Sequence, residues 1–393
     1  MTYQEKDLQY VLHTYKRNPI CFERGKGAVL YAGDADYIDF MAGIAVCSVG
    51  HGNAKLAEAL YDQALKLIHV SNLYGIANQA ELAERIVRLS GLDARVFFCN
   101  SGAEANEAAI KIARKNGEAQ KRFKIITLRQ SFHGRTIATL KATGQEKMHT
   151  HFAPYPDGFV HADNLAHVQQ LLDDQTAAVL LELIKGEGGI ECLDRSGMHA
   201  LAKTLKERGI LLMVDEVQSG IYRSGEFLAS NLYGLQPDVV TLAKGLAGGV
   251  PIGAVLTTQK DIFAPGEHGS TFGGNPLATR AALCVLGLLQ DEHDSKRLAQ
   301  RIELFWQNLA QMCAKFPQLF ARSVGIGLMC GLQCVREEQQ ARVIDKSFAH
   351  RVLVLRSGAD VVRFVPPLTI SEGEIHEGFA RFSAACAEIV AES

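Results

Sequence analysis

Between residue 54 and about residue 260, short apolar runs alternate with stretches of helical periodicity, and this alternation restricts the fold more than any other feature. The runs are Val96-Phe97-Phe98, Ile125-Ile126-Thr127-Leu128, Ala178-Val179-Leu180-Leu181, Ile210-Leu211-Leu212-Met213-Val214 and Val239-Val240-Thr241-Leu242. They are nearly continuous in apolar character, as strands covered on both faces are. The helical stretches repeat apolar residues at turn spacing, as Leu56, Leu60, Ala64 and Leu67 do. The pattern implies an α/β fold, with a mostly parallel sheet and helices on both faces. In such sheets ligands bind in the crevice beyond the strand ends. Here every run hands over to a polar loop.

The two chain ends read differently. Residues 17–50 suggest a meander, with strands at Ile20-Cys21-Phe22-Glu23, Val29-Leu30-Tyr31 and Tyr37-Ile38-Asp39-Phe40. One long helical pattern covers about 276–314. A last helix near 371–391 opens at Ser371 with Glu374 three residues on, a capping box. Each end is too small to stand alone, so the two are expected to pair into one small α+β domain. The expected parts are 1–53, the N-terminal share of the small domain; 54–275, the large domain; and 276–393, a linking helix with the C-terminal share.

A chain of 393 residues, 47% apolar and 21% charged, can core two such domains. Its net charge of -2 offers no electrostatic case for nucleic acid or an anionic membrane. No run reaches transmembrane length and the start holds no secretory apolar region, so a cytoplasmic protein is expected. The nine cysteines, odd in number and mostly in apolar contexts, read as reduced thiols packed like small hydrophobes. Cys330 and Cys334 are expected in the core. No metal site is expected, because His149 and His151 have no further ligand near them in sequence.

Asp215 and Lys244 each follow an apolar run, so a carboxylate and an amine arrive together at the strand ends. That pair suits pyridoxal 5′-phosphate, which needs a lysine to bond it and an acid to keep its pyridine nitrogen protonated. Ser101-Gly102-Ala103 opens a strongly helical stretch, whose free N–H groups and positive dipole end can cradle a phosphate. Phe132 and Arg135 offer a ring face and a guanidinium fork in one loop. Glu182 and Glu187 lie in a glycine-rich turn through Gly186, Gly188 and Gly189, where backbone can approach a ligand closely. No P-loop, zinc-protease or nucleophile-elbow motif is present.

The segments Asn100-Ser101-Gly102-Ala103-Glu104-Ala105-Asn106, Ser131-Phe132-His133-Gly134-Arg135-Thr136, Asp215-Glu216-Val217-Gln218, Ala243-Lys244-Gly245 and Gly269-Ser270-Thr271-Phe272-Gly273-Gly274-Asn275-Pro276 resemble, in order and spacing, the motifs of the class III pyridoxal-phosphate aminotransferases. The resemblance runs from about Tyr15 to the C-terminus. It implies the fold-type I architecture and a homodimer with shared active sites. It implies that Lys244 bonds the cofactor and shuttles a proton between substrate Cα and cofactor C4′, and that Asp215 stabilises the pyridinium. Phe132 and Val217 would sandwich the ring and Gln218 would reach its hydroxyl. Ser101, Gly102 and Ala103 would hold the phosphate, with Thr271 adding a contact from the partner subunit.

By the same resemblance Arg135, Arg363, Glu187 and Ser270 meet the substrates. Arg363 would take the α-carboxylate of both, Arg135 the distal carboxylate of glutamate, and Glu187 would neutralise Arg363 when a second carboxylate is absent. Within the family, Gly43-Ile44-Ala45-Val46, Ser71-Asn72-Leu73-Tyr74 and Val362-Arg363-Phe364-Val365-Pro366-Pro367-Leu368 look most like members acting on N2-acetylornithine with 2-oxoglutarate. Succinylornithine, 4-aminobutyrate, ornithine and lysine are alternative donors, and an aminomutase is an alternative of another class. Two departures stand out: Leu183-Ile184-Lys185 where the family often has Pro-Ile-Gln, and His51-Gly52-Asn53 without the usual proline.

Overall fold

The computed structural model, which describes residues 1–392, is built on a seven-stranded sheet. Across it the strands run Arg95–Cys99, Gly253–Thr257, Val239–Leu242, Leu211–Asp215, Thr176–Leu181, Lys124–Leu128 and Phe159–Ala162. All pairings are parallel except the two made by Gly253–Thr257. The sides of Leu211–Asp215 illustrate the layering. Leu211 and Met213 pack with Ala108, Ala109 and Ile112 of the helix Gly102–Gly117. Leu212 and Val214 pack with Met198, Leu201 and Leu205 of the helix Arg195–Glu207. Burial on both faces accounts for the unbroken apolar runs.

Two strands depart from the expected set. Phe159–Ala162 closes one edge. Gly253–Thr257 follows a Gly/Pro cluster that reads as loop, and it returns antiparallel beside Arg95–Cys99. Its glycine is required: a Cβ at 253 would lie 2.4 Å from the carbonyl oxygen of Ser101.

Both chain ends build the smaller part. One sheet joins Arg24–Lys26, Val29–Ala32 and Ala35–Asp39 to Val352–Leu353, which pairs parallel with Ala35–Asp39. A second, antiparallel sheet holds Phe320–Ile326, Met329–Cys334, Val361–Phe364 and Leu355–Ser357. Phe40, Phe305, Phe364 and Phe379 form a cluster of edge and tilted ring contacts that unites these pieces. The capping box of Ser371 and Glu374 starts the helix Glu372–Ala391. Cys330 and Cys334 are buried in this core, and all nine cysteines are free thiols.

Some sequence expectations are corrected. Residues 20–23 are not a strand; the first strand is Arg24–Lys26, set against Val29–Tyr31 by a turn at Gly27 with φ 59°. A helix Tyr3–Tyr10, capped by Thr2 and Glu5, precedes it. The long pattern over 276–314 is two helices, Pro276–Asp294 and Arg297–Lys315, broken where Lys296 takes a left-handed φ of 65°. Ala64 and Leu67 are exposed, although Leu56 and Ala59 of the same helix are buried. No helix among the described residues is long and apolar enough to cross a membrane.

Candidate active site

The strand ends converge on a cavity of about 510 Å³. Ser101, Gly102, Ala103, Phe132, Arg135, Glu187, Asp215, Val217, Gln218 and Lys244 all line it. Asp215 is the last residue of its strand, 4% exposed. Its Oδ2 accepts from His133 Nδ1 and Asn106 Nδ2, each at 2.8 Å, and its Oδ1 accepts from the Val217 N–H at 3.0 Å. Burial works against this charge. The His133 hydrogen bond, then the contacts from Val217 and Asn106, hold the carboxyl below its ordinary value.

Lys244 opens a single 3₁₀ turn, Lys244–Ala247, with a strained φ of 38°. It is half-buried at the cavity. Desolvation, then the Arg363 cation, push its ammonium down from the usual lysine range. A lowered value increases the share of free amine, the form that attacks a carbonyl.

Beyond the first turn of Gly102–Gly117, Ser101 Oγ accepts from Glu104 N at 3.2 Å as an N-cap. The N–H groups of Gly102 and Ala103 make no hydrogen bond within the chain among the described residues. A Cβ at Gly102 would lie 2.7 Å from Val217 Cγ1, so only glycine lets helix start and Val217 meet. A buried carboxylate, an amine with lowered affinity for its proton, an anion cradle and the Phe132 and Val217 side chains thus surround one space. The set fits a flat heteroaromatic ring that carries a phosphate and a carbonyl.

Arg363 lies outside the lining yet reaches it. Its Nη1 donates to Glu187 Oε1 at 2.7 Å, to Gly186 O at 2.8 Å and to Gln218 Oε1 at 3.2 Å. It is 3% exposed, and its Nε is buried without a partner among the described residues. The next residue, Phe364, is locked into the aromatic cluster, so the strand Val361–Phe364 fixes the guanidinium from behind. Arg135 is exposed, its guanidinium 5.8 Å from the Phe132 ring centroid.

Ser270 and Thr271 are not brought to this cavity within one chain. Both border a separate depression. Ser270 Oγ accepts from Asn100 Nδ2 at 3.1 Å and from Gly273 N at 3.0 Å, and Thr271 is exposed.

Sequence reasoning gave no role to Asn106, His133 or Glu182, and it did not single out Tyr15 or Val46, which also line the space. Asn106 shares a helix face with buried Ile110 and Ala113; a lone amide on an apolar face was the available signal. Glu182 accepts from the backbone N–H of Phe132 at 3.0 Å and of Gly186 at 3.2 Å, tying two site loops together. Burial pushes its carboxyl up to about 7. Among the described residues no group of three or more His, Cys, Asp or Glu side chains is placed to hold a metal ion.

The architecture is that of the fold-type I transferases, and the profile of the family described as Aminotransferase class-III matches residues 10–386. The chain belongs to the class III aminotransferases. It is 63% identical to the acetylornithine aminotransferase of Wolinella succinogenes, over 96% of this chain and 98% of that one. Identity to the acetylornithine aminotransferase of Gloeobacter violaceus is 45%, over 97% and 96%. Among solved structures, the N-acetylornithine aminotransferase of Stenotrophomonas maltophilia superposes with a TM-score of 0.83 at 35% identity, covering 96% of this chain and 98% of that one. The ornithine aminotransferase of Toxoplasma gondii, with partial occupancy of PLP at its active site, gives 0.91 at 31% identity, over 99% and 95%.

Proposed function

We propose that this chain uses pyridoxal 5′-phosphate to move the side-chain amino group of N2-acetylornithine to 2-oxoglutarate. The products are N-acetylglutamate 5-semialdehyde and glutamate, a step of arginine biosynthesis. The observation that carries the substrate assignment is the 2.7 Å pair of Glu187 with Arg363 beside Lys244. An arginine that can be masked suits an enzyme whose two substrates differ in carboxylates near the reacting carbon.

Bound here, the cofactor supplies a ring that withdraws electrons from the substrate carbon. Lys244 would bond it at rest and then move the proton at the amine-bearing carbon. Asp215 would keep the ring nitrogen protonated. Phe132 and Val217 would hold the ring, Gln218 would offer its amide N–H to the ring hydroxyl, and Ser101, Gly102 and Ala103 would bind the phosphate.

The substrates' own chemistry refines the arginine roles. In glutamate the reacting carbon carries a carboxylate, which Arg363 takes once Glu187 releases it. In N2-acetylornithine the reacting carbon carries none: its carboxylate lies four bonds away, one bond farther than the distal carboxylate of glutamate lies from its own reacting carbon, so the two fall in the same region of the site. Arg135 therefore serves both substrates and Arg363 only the dicarboxylate, unlike the simpler expectation that Arg363 serves both. Loss of a bidentate charged contact in a desolvated site costs about two to three decades in kcat/KM. Arg363→Ala should show that loss with glutamate and a much smaller one with N2-acetylornithine, whereas Arg135→Ala should impair both. Single-turnover measurement of each half-reaction checks this; equal losses for Arg363→Ala would refute the division.

The protein is further proposed to work in the cytoplasm as a homodimer with shared sites. Leu73, Leu65, Tyr74, Tyr61 and Phe272 are 86%, 71%, 68%, 66% and 61% exposed in one chain, large apolar side chains of the kind a second copy would cover. The Asn72 amide ties that segment to the Ser270 and Gly273 carbonyls at 3.0 and 2.9 Å, so burying the patch would carry Thr271 to the partner's phosphate site. Mixing Thr271→Ala with Lys244→Ala protomers should then regain activity on subunit exchange, because one hybrid site holds both defects and the other holds none. Heterodimers without recovered activity would disprove the shared site.

A further inference from the structure

Glu187 sits on a hairpin of only two rungs, Ile184 opposite Cys192 and Lys185 opposite Glu191. We propose that the Lys185–Glu191 ion pair is a clamp that keeps Glu187 on Arg363, and so sets how this chain divides its activity between monocarboxylate and dicarboxylate substrates. The inference rests on the switch reading of Glu187 given above.

Three observations place the clamp. Lys185 is buried at 5% exposure, and its Nζ lies 2.8 Å from Glu191 Oε2, its one hydrogen-bond partner among the described residues. The second strand is fixed at its root, because Ile190 is fully buried and packs against the strand Phe320–Ile326 at Gly325. Lys185 therefore ties the buried first strand, Ile184–Lys185, to the exposed second strand, Glu191–Cys192, that continues from this anchor. The tip is held from the other side. Gly186 O and Gly189 N both meet Ser357 Oγ, at 2.8 and 2.9 Å, and Glu187 O accepts from Gly358 N at 2.9 Å.

Glu187 leaves Arg363 by turning its part-exposed side chain away, and a tip that shifts on its base assists that release. The glycines Gly186, Gly188 and Gly189, the last with φ 87°, allow that motion. The Lys185 stem lies under it: a Cβ on Gly188 would be 3.1 Å from Lys185 Cβ. A two-rung hairpin is marginal by itself, so an opposite-charge pair across it weighs on which tip position is held. Lys185 is a positioning residue and touches no substrate. Its charge does not compete for Glu187, because Glu191 already occupies it.

The test uses the holoenzyme and both half-reactions in single turnover, with N2-acetylornithine and with glutamate. Lys185→Met keeps the stem and removes the charge, leaving Glu191 solvated; Lys185→Gln is the second variant. Each is expected to lower kcat/KM for N2-acetylornithine about five- to tenfold, with glutamate unchanged within about twofold. In a Glu187→Gln background the same substitution should add nothing to the ratio. The swap Lys185→Glu with Glu191→Lys should recover part of it. Equal losses in both halves, a lowered melting temperature with an unchanged ratio, or a full shift persisting in the Glu187→Gln background would each overturn the clamp. If Glu187→Gln alone leaves the ratio at the wild-type value, the switch reading fails and takes the clamp with it. If Glu187→Gln moves the ratio and the Lys185 variants do not, the clamp alone fails.

Discussion

Replacing Lys244 by alanine is expected to leave a folded protein that binds pyridoxal 5′-phosphate and turns nothing over. The loss should reach at least about four decades in kcat, because one side chain supplies both the covalent anchor and the proton carrier. The carboxylates around it are already engaged: Glu182 by the Phe132 and Gly186 N–H groups, Asp215 by His133, Asn106 and Val217, and Glu187 by Arg363. The fold should tolerate the change, since the turn Lys244–Ala247 is held by buried Gly245, Leu246 and Ala247. The purified variant should lack the visible absorbance of lysine-bound cofactor. A small primary amine in the medium should restore a trace of turnover, because the defect is a missing nitrogen. Near wild-type activity in this variant would remove Lys244 from the reaction.

Lys244 and Asp215 were legible because strand ends are where a parallel sheet binds ligands, and apolar runs mark strands without further help. The second layer around them was not. Asn106 meets Asp215 across 109 positions and His133 across 82, and no periodicity encodes such contacts. Glu187 and Arg363 stand 176 positions apart; residue chemistry marked Glu187 as an acid in a glycine-rich turn, and only family likeness named Arg363 and paired the two. Helical spacing marked Leu56, Leu60, Ala64 and Leu67 as one apolar stripe of a helix, and a single chain leaves Ala64 and Leu67 of that stripe exposed. Spacing reports that a face is apolar, not whether this chain or a second copy covers it. The antiparallel strand Gly253–Thr257 hid behind the glycine and proline that make its return possible.

Asp215→Asn should slow turnover by about two to three decades while the cofactor stays bound. The geometry explains why an isosteric amide fails. Every carboxylate oxygen of Asp215 already meets a donor, two N–H groups at Oδ2 and one at Oδ1. An amide must turn its NH₂ toward one of these sets, so a donor faces a donor in a site that is 4% exposed. It also lacks the negative charge that makes protonation of the ring nitrogen favourable. That charge is maintained against burial by the same three hydrogen bonds, which depress the carboxyl from its usual value. The folded-state value being lowered, the carboxylate's contribution to stability is present above the unfolded value and fades as pH falls through the folded one. The variant should therefore lose wild-type stability near neutral pH and differ less from wild type in acid, as thermal unfolding followed across pH would record. Cofactor retention depends on Ser101, Gly102 and Ala103, which the substitution does not touch, so titration with pyridoxal 5′-phosphate should give near-stoichiometric loading. Proton abstraction should then carry the whole defect, visible as a larger kinetic isotope effect with substrate deuterated at the reacting carbon. An unchanged kcat would mean that Asp215 does not face the ring nitrogen.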